Sequence, residues 1–434
     1  MTSPGLPLEG APLRQPSRRR LSLALAGILI LAGAGMGAGP GDGAGAGVAE
    51  AIPFNEAGLD LLAKGRAVEA VRAFRAARVR SPESSILRRN LAAALAAVAG
   101  LRRAKRKPVE AVELLDEAVR LHPERLRYRW LRGCARFEAA RAADFFFARN
   151  DFRFVLERDP DQVVALRYLG QIAYLERRLD EAIRLWRRAR ALQPDDPQLA
   201  ARLERAERER RVEAAFETLE DRTFRLRYAP EVSRSRAGRM LQICEEAYGD
   251  LSRKFDTYPE RIVVILYTPQ QFRSALRVHA WVAGVSDGTI RIAVPAGGGE
   301  QRLRATLYHE LTHHLVRGVA PRAPPWLQEG LAQLAEGKSA AAAASRLRRG
   351  RMPPESSLSI GVLQTSDPRI VAGFYDLALA FTSYLQSLQG DAGITRLLGE
   401  LGRGTGMGEA LRAVFGASRS TLFARWAERL RTGR

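Results

Sequence analysis

Three of the five histidines in this 434-residue chain fall within one short segment, between residues 309 and 314. In a helix, residues four positions apart share a face, so His309 and His313 would direct both imidazoles to one point. Two nitrogen ligands at that spacing suit a zinc ion, and Glu310 between them is placed to accept a proton from water. The segment therefore predicts a metal centre with a general base beside it.

Glu329 is the candidate for the third protein ligand that a catalytic zinc site needs. It follows His313 after 15 intervening residues, near the start of a predicted helix that a proline opens. The proline-rich stretch 321–325 predicts a rigid crossover that lays this helix across the first one. We therefore expect His309, His313 and Glu329 to hold Zn²⁺. The alternative is two buried histidines and an unrelated surface glutamate.

These motifs resemble those of peptidase MA-like, gluzincin-type zinc metallopeptidases, and the resemblance extends from about residue 223 to residue 430. The matching residues are His309, Glu310 and His313, then Trp326, Glu329, Gly330 and Ala332, then Tyr375, Ala378 and Phe381, and finally Gly416 and Trp426. The resemblance implies zinc-dependent hydrolysis of peptide bonds but identifies no substrate. Residue 333 is glutamine, whereas some gluzincins carry an acid there to support a histidine ligand.

In the implied mechanism, Glu310 takes a proton from water and passes it to the leaving amine. The oxyanion that develops needs a hydrogen-bond donor, for which Tyr375 is the candidate. Since Tyr375 lies among apolar residues of a predicted helix, a core position is the alternative. The predicted strand 289–294 is either an exposed edge, on which an extended peptide substrate would pair, or an internal strand.

The segments around the histidines predict a mixed α and β domain. Residues 223–228 and 262–267 have the pattern of strands, and they flank a helix with Met240, Leu241, Cys244 and Ala247 on one face. Residues 280–285 and 289–294 predict a hairpin, because an aspartate-glycine pair lies between them. A glycine-rich loop then leads into the helix of the histidines.

A recurring pattern of small, large apolar and proline residues precedes this domain. Its two clearest copies are Ala70, Phe74, Ala77 and Pro82, and, at the same offsets, Ala182, Trp186, Ala189 and Pro194. The pattern resembles tetratricopeptide repeats, helix hairpins in which small residues allow close helix approach. The interval from Pro82 to Pro123 is 41 residues, against 34 from Pro160 to Pro194, and we place the additional residues in the turn at 102–108. An unrelated helical bundle is the alternative. Charged residues between 198 and 221 predict a polar helix that caps the stack.

Residues 1–51 predict an export signal or a membrane anchor. Arg18, Arg19 and Arg20 precede an apolar run at 21–31, and residues 49–51 form a small-x-small cleavage site. An uncleaved anchor is the rival, because the uncharged stretch 21–41 approaches the ~20 residues that span a bilayer. A disordered tail is the third option. With a signal or an anchor, the arginines hold the N-terminus inside, so both folded domains are expected on the periplasmic or extracellular side of the cytoplasmic membrane.

The composition is that of a globular protein, with 46% hydrophobic and 27% charged residues. The two cysteines, Cys134 and Cys244, cannot build a disulfide framework. The net charge of +21 comes from 69 basic and 48 acidic residues, and only five of the basic residues are lysine. Because the arginines are scattered through alanine-rich stretches without interleaved aromatic residues, we expect no specific nucleic-acid binding.

The sequence thus predicts a multidomain protein, with an all-α tetratricopeptide-repeat solenoid at 52–220 and an α+β zincin-like metallopeptidase domain at 221–434. The expected function is zinc-dependent cleavage of a peptide or protein substrate, while the repeats bind a protein partner. One alternative is an inactive peptidase-fold scaffold at the cell envelope, although an inactive site has no need of Glu310. The other is a basic nucleic-acid or surface binder, which would gather its arginines on one face.

Overall fold

The computed structural model describes residues 44–139, 142–277, 284–286, 288–297, 299–350, 352–358 and 367–432. These residues divide into two compact units, 44–203 and 204–432. The division lies earlier than the predicted boundary at 220/221, because a helix that begins at Pro197 passes from one unit into the other. Most of the predicted targeting segment, residues 1–43, lies outside the described residues. None of the described helices is long and apolar enough to cross a bilayer.

The first unit is a series of helices that pack as successive hairpins. They are α1 (Ala44–Ala63), α2 (Ala67–Arg80), α3 (Ser85–Ala104), α4 (Pro108–Leu121), α5 (Leu126–Ala139), α6 (Ala142–Arg158), α7 (Val163–Leu175) and α8 (Leu179–Leu192). The predicted signal cleavage site at 49–51 falls within α1, where Ala51 is buried.

Three hairpins bring a glycine of the first helix against an aromatic ring of the second. The pairs are Gly58 with Phe74, Gly133 with Phe152, and Gly170 with Trp186. A Cβ atom added to any of these glycines would come closer than 3.0 Å to the ring. Only glycine therefore permits this helix separation, which confirms the predicted pairing of small and large residues in a repeat.

The second repeat is longer than the others, but its turn is not. Helix α3 has 20 residues and α7 has 13, while a three-residue loop follows each of them. The additional seven residues therefore lengthen the helix, and their predicted placement in the turn at 102–108 is wrong. Leu87, Leu91, Leu95 and Val98 are buried at intervals of three or four residues, so the longer helix continues one apolar face.

A polar helix was predicted at 198–221, but the observed helix α9 (Pro197–Val212) ends nine residues before residue 221. Residues 217–220 form a strand instead. The physical reason lies in two glutamates that the sequence suggested to be solvated. Glu209 is fully buried and pairs with Arg291 at 3.2 Å, and the buried Glu213 pairs with Arg227 at 2.7 Å. Both arginines come from strands of the second unit, so this part of the chain belongs to that unit.

The second unit contains a five-stranded sheet in the order β1-β2-β3-β5-β4. The strands are β1 (Glu217–Glu220), β2 (Phe224–Tyr228), β3 (Ile262–Tyr267), β4 (Gly284–Ser286) and β5 (Ile290–Ala293). Strands β2, β3 and β5 are parallel, and β1 and β4 are antiparallel to their neighbours. The predicted hairpin is confirmed for its described part, since Ser286 pairs with Ile290, while residues 280–283 and 287 of that prediction lie outside the described residues. However, β5 is internal to the sheet, so the edge-strand alternative for 289–294 is wrong; among the described strands, β4 is the outer one on that side.

Helices cover one face of this sheet around a shared apolar core. They include α10 (Arg234–Phe255), α12 (Glu300–Val319), α13 (Pro325–Ala335), α14 (Ala340–Arg349), α15 (Pro368–Gly402), α16 (Met407–Phe415) and α17 (Arg419–Thr432). Helix α11 (Pro269–Leu276) instead packs with Ile265 and Tyr267, whose side chains point to the opposite face of β3. On α10, the predicted apolar face is confirmed for Met240, Cys244 and Ala247, whereas Leu241 is only partly buried. Helix α12 carries the histidines, and α13 carries Glu329.

Candidate metal centre

Helix α12 turns its histidine pair toward the interior. His309 and His313 have 0% and 2% of their surface exposed. Because they lie four residues apart, their rings meet edge to face with centroids 4.8 Å apart. The structure thus brings together the two imidazoles that the sequence predicted to share a helix face.

Helix α13 is fixed against α15, and this contact orients Glu329. A Cβ atom on Gly330 would lie 2.5 Å from the carbonyl oxygen of Ala378, so glycine is required for the helices to approach this closely. The indole of Trp326 packs against the ring of Phe381, with centroids 5.4 Å apart. The Trp-x-x-Glu-Gly segment therefore combines two packing residues with a buried carboxylate that faces α12.

Three side chains from these helices bring their ligand atoms into a compact triangle. The Nε2 atoms of His309 and His313 are 3.2 Å apart, and the Glu329 carboxylate approaches the first with Oε2 at 3.7 Å and the second with Oε1 at 3.6 Å. A tetrahedral ion with bonds of about 2.1 Å would hold its ligand atoms about 3.4 Å apart. His309, His313 and Glu329 could therefore hold one metal ion. The remaining tetrahedral position would be open to another ligand.

Glu310 is buried beside this triangle, with 3% of its surface exposed. Burial raises its pKa to about 7, while the nearby His309 opposes the rise and the charge of Glu329 adds to it. A carboxyl group in this pKa range exchanges protons with water at neutral pH. The side chain of Glu310 also lies against the backbone of Gly284 in the outer strand β4.

The two histidines have different electrostatic surroundings. Burial lowers the pKa of His313 and so favours the neutral imidazole that binds metals. Burial also disfavours the charged form of His309, but its hydrogen bond with Glu336 and the neighbouring carboxylates outweigh this and raise its pKa. A bound cation would reverse the balance at His309, because like charges repel.

Tyr375 comes from α15 and faces the same carboxylates. Burial raises the pKa of its phenol, and the charges of Glu329 and Glu310 raise it further. The hydroxyl is buried and has no hydrogen-bond partner in the described part of the chain. Its ring packs against the apolar core, which confirms the packing alternative for the ring. The role of the hydroxyl as a donor to an oxyanion stays a prediction.

Glu336 belongs to this site although the sequence analysis did not predict it. Its Oε2 atom lies 3.1 Å from Nδ1 of His309. Gln333, which occupies the position of the acid in some gluzincins, instead donates to the backbone carbonyl of Tyr375 at 3.0 Å. The spacing in the sequence could have indicated Glu336. Residues 329, 333 and 336 recur at a helical period, so they lie on one face of α13 and its C-terminal cap.

Comparison with known proteins identifies one segment clearly. A family model described as tetratricopeptide repeat matches residues 163–196, which comprise the hairpin of α7 and α8. No curated protein sequence gives a significant match. Repeats of this type mediate contacts between proteins. The first unit is thus a helical repeat unit with the character of a protein-interaction module.

Similar solved structures include a MamA RS-1 ArsTM double mutant and MamA 41-end from Desulfovibrio magneticus RS-1, each 18% identical with a TM-score of 0.30. Both matches cover 36% of this chain, and 83% and 84% of the respective MamA chains. YrrB, described as a TPR protein with an unusual peptide-binding site, is 23% identical with a TM-score of 0.28, and the match covers 36% of this chain and 74% of YrrB. Similarity at this level transfers no ligand or activity to this chain.

Proposed function

We propose that the second unit is a gluzincin-like zinc metallopeptidase that hydrolyses peptide bonds. The observation that carries this proposal is the triangle of His309, His313 and Glu329 with the buried Glu310 beside it. Two imidazole nitrogens and one carboxylate oxygen are a ligand set typical of catalytic zinc, and three protein ligands leave one position for a substrate or water. The burial of all four side chains supports a built site, since solvated surface groups would have no reason to converge there.

The residues of the chain divide the chemistry among them. A bound zinc ion supplies Lewis acidity and lowers the pKa of water. Glu310 accepts a proton from the attacking water and delivers it to the leaving amine, for which a pKa near neutrality is suitable. Tyr375 donates a hydrogen bond from its hydroxyl to the oxyanion that develops on the scissile carbonyl.

An extended peptide fits the neighbourhood of Glu310. Strand β4 is the outer described strand on this side of the sheet, and its Gly284 lies against Glu310. A peptide that adds to the sheet beside β4 would bring its backbone toward the base, because main-chain hydrogen bonds guide such additions without requiring a particular side chain. This arrangement supports a peptide or protein substrate.

The repeats of the first unit bind a protein partner or deliver the substrate in this proposal. We further propose that both units function outside the cytoplasm, on the basis of the arginine triplet and apolar run near the N-terminus. Protease added to intact spheroplasts should then digest both units. Protection of both units until lysis would contradict the proposed location.

Metal analysis and peptide cleavage by the full-length protein test the proposed activity. We expect one zinc per chain after dialysis, and cleavage of a peptide library that chelators abolish. Glu310→Gln should keep the metal and lower turnover by about 10²–10⁴-fold, as expected when a general base is lost. The matched control is Glu300→Gln, an exposed substitution in the first turn of the same helix. Zinc binding without cleavage would favour the inactive-scaffold alternative, and equal cleavage by Glu310→Gln would exclude the mechanism.

A further inference from the structure

The imidazole of His309 lies between two carboxylates, one from α13 and one from the residue that caps the C-terminus of α13. Glu329 approaches its Nε2 atom at 3.7 Å, and Glu336 approaches its Nδ1 atom at 3.1 Å. The two glutamates are seven positions apart, which is close to two helical turns, so Glu336 at the helix cap lies on the same face as Glu329. Each side of the ring therefore meets a carboxylate, and the two carboxylates act differently. Glu329 shares the metal position, and Glu336 contacts the nitrogen that points away from it.

The position of Glu336 defines the hydrogen bond. An ionised carboxylate can only accept, so Nδ1 of His309 must carry the proton in this contact. That arrangement leaves the lone pair of Nε2 directed toward His313 and Glu329. Lys338 lies 3.1 Å from the same Oε2 atom and supplies a positive charge that favours the carboxylate form. Glu336 directly follows the last residue of α13, and the next residue, Gly337, has a φ of +83° that turns the chain before Lys338.

The second histidine has no equivalent support in the described residues. The Nδ1 atom of His313 is buried without a hydrogen-bond partner there. Gln333 does not take this role for either imidazole, because its amide donates to the carbonyl oxygens of Glu329 and Tyr375. The carboxylate support of the histidine pair is thus concentrated on His309, and Glu336 provides it.

We infer that Glu336 is the positioning residue of the metal centre, which fixes the tautomer and the ring orientation of His309. This inference rests on the proposed function, since it concerns the same site. The role of Glu336 also explains why no acid is needed at residue 333. The carboxylate that supports His309 comes from Glu336, three positions later along the chain. Partners of this kind typically contribute 10–100-fold to metal affinity.

Zinc affinity, measured by competition with a chromogenic chelator in the full-length protein, is the first test. Glu336→Ala should weaken binding by about 10–100-fold, whereas Glu336→Gln, which keeps an acceptor oxygen, should recover most of the loss. Glu355→Ala serves as the matched control, because it removes a glutamate that pairs with Arg419 away from the site. If Glu336→Ala does not fold, Glu336→Met replaces it, since methionine keeps the length of the side chain without an acceptor.

Nitrogen-15 NMR of the histidine side chains is the second test, and it needs no metal. In the metal-free protein, at a pH high enough that the raised pKa of His309 is exceeded and the ring is neutral, His309 should be the Nδ1–H tautomer. Glu336→Gln should retain this tautomer, and Glu336→Ala should lose it. A structural role of Glu336 at the end of α13 would not change the tautomer.

The outcomes separate this inference from the proposed function. The role of Glu336 would be refuted if folded Glu336→Ala had the zinc affinity of the unaltered protein, or if His309 had the same tautomer in both. Either result would leave the peptidase proposal intact. If the unaltered chain binds no zinc, the proposed function and this role fall together. If Glu336→Ala weakens zinc affinity and loses the His309 tautomer, and Glu336→Gln restores both, the role of Glu336 at the metal centre is supported.

Discussion

A Cβ atom placed on Gly284 would lie 2.7 Å from the Oε1 atom of Glu310. The backbone of strand β4 and the candidate base are therefore closer than any side chain at residue 284 would permit. Arg317 of α12 reinforces this contact, because its guanidinium donates to the carbonyl oxygen of Ser286 in the same strand. The outer strand and the helix of the histidines are thus joined at two places, by the contact of Gly284 with Glu310 and by the hydrogen bond from Arg317 to Ser286.

Gly284→Ala should displace the carboxylate of Glu310 while the metal ligands stay in place. A displacement of about 1 Å in a catalytic group can cost on the order of 100-fold in rate, so we expect kcat to fall by roughly 10–100-fold with zinc content unchanged. Steady-state kinetics and metal analysis check this prediction. Gly318→Ala is the control, because nothing lies within 4 Å of the added methyl group there. Equal kcat for the unaltered protein and Gly284→Ala would show that the base tolerates the contact.

Glu329→Gln should lose most of the bound metal, since a neutral amide replaces the one charged ligand of the predicted set. The side chain keeps its size, so the packing of α13 against α15 should not change. Atomic absorption after dialysis gives the metal content, and circular dichroism verifies the fold. Glu300→Gln is the matched exposed substitution on α12. One zinc per chain in Glu329→Gln would refute the ligand assignment.

Tyr375→Phe should lower kcat without destabilising the protein. The hydroxyl is buried without a partner in the described part of the chain, so its removal breaks no observed hydrogen bond. We expect an unchanged or slightly higher free energy of unfolding, and a loss of about 10²–10³-fold in kcat if the hydroxyl stabilises the oxyanion. Tyr258→Phe, at an exposed position, is the control. A variant with full kcat would assign Tyr375 to packing alone.

The buried ion pair between Glu209 and Arg291 should make a large contribution to the integrity of the second unit. Both side chains are fully buried, so Glu209→Ala would leave the guanidinium of Arg291 without this carboxylate in the interior. We expect a loss of about 3–5 kcal/mol in the free energy of unfolding. Glu220→Ala, which breaks a half-exposed pair with Arg225, should cost less than about 1 kcal/mol. Urea denaturation gives the free energy of unfolding of both variants. Similar losses in Glu209→Ala and Glu220→Ala would show that the buried pair contributes no more than the exposed one.

Local periodicity explains the features that were correctly predicted. The spacing of His309 and His313 places both rings on one helix face wherever that helix packs, because the geometry of an α-helix is fixed over four residues. The repeats are predictable for the same reason: a glycine and an aromatic residue recur in three of the hairpins, and the contact of Gly170 with Trp186 involves neighbouring helices. The predicted hairpin of β4 and β5 likewise depends on a short turn.

The features that were wrongly predicted depend on partners distant in the sequence. Glu209 and Glu213 have the pattern of a solvated helix, and only the sheet arginines reveal that they are buried. The apolar residues of 289–294 suit an internal strand or an edge equally well, and the position of β4 decides between them. The sequence alone allows the seven additional residues of the second repeat to lie in a turn or in a helix. They extend helix α3 because its apolar face packs against the neighbouring helices.

The candidate ligand types, the candidate base and the repeat pattern were predictable from the sequence, because each is encoded by residue chemistry within one or two elements. How those elements cross depends on the tertiary structure. The angle of α13 against α12 assigns Glu329 and Glu336 to opposite nitrogens of His309, and the packing of β4 brings Gly284 to Glu310. These relationships arise because buried surfaces from several elements must fit together at once, and no local spacing specifies that fit.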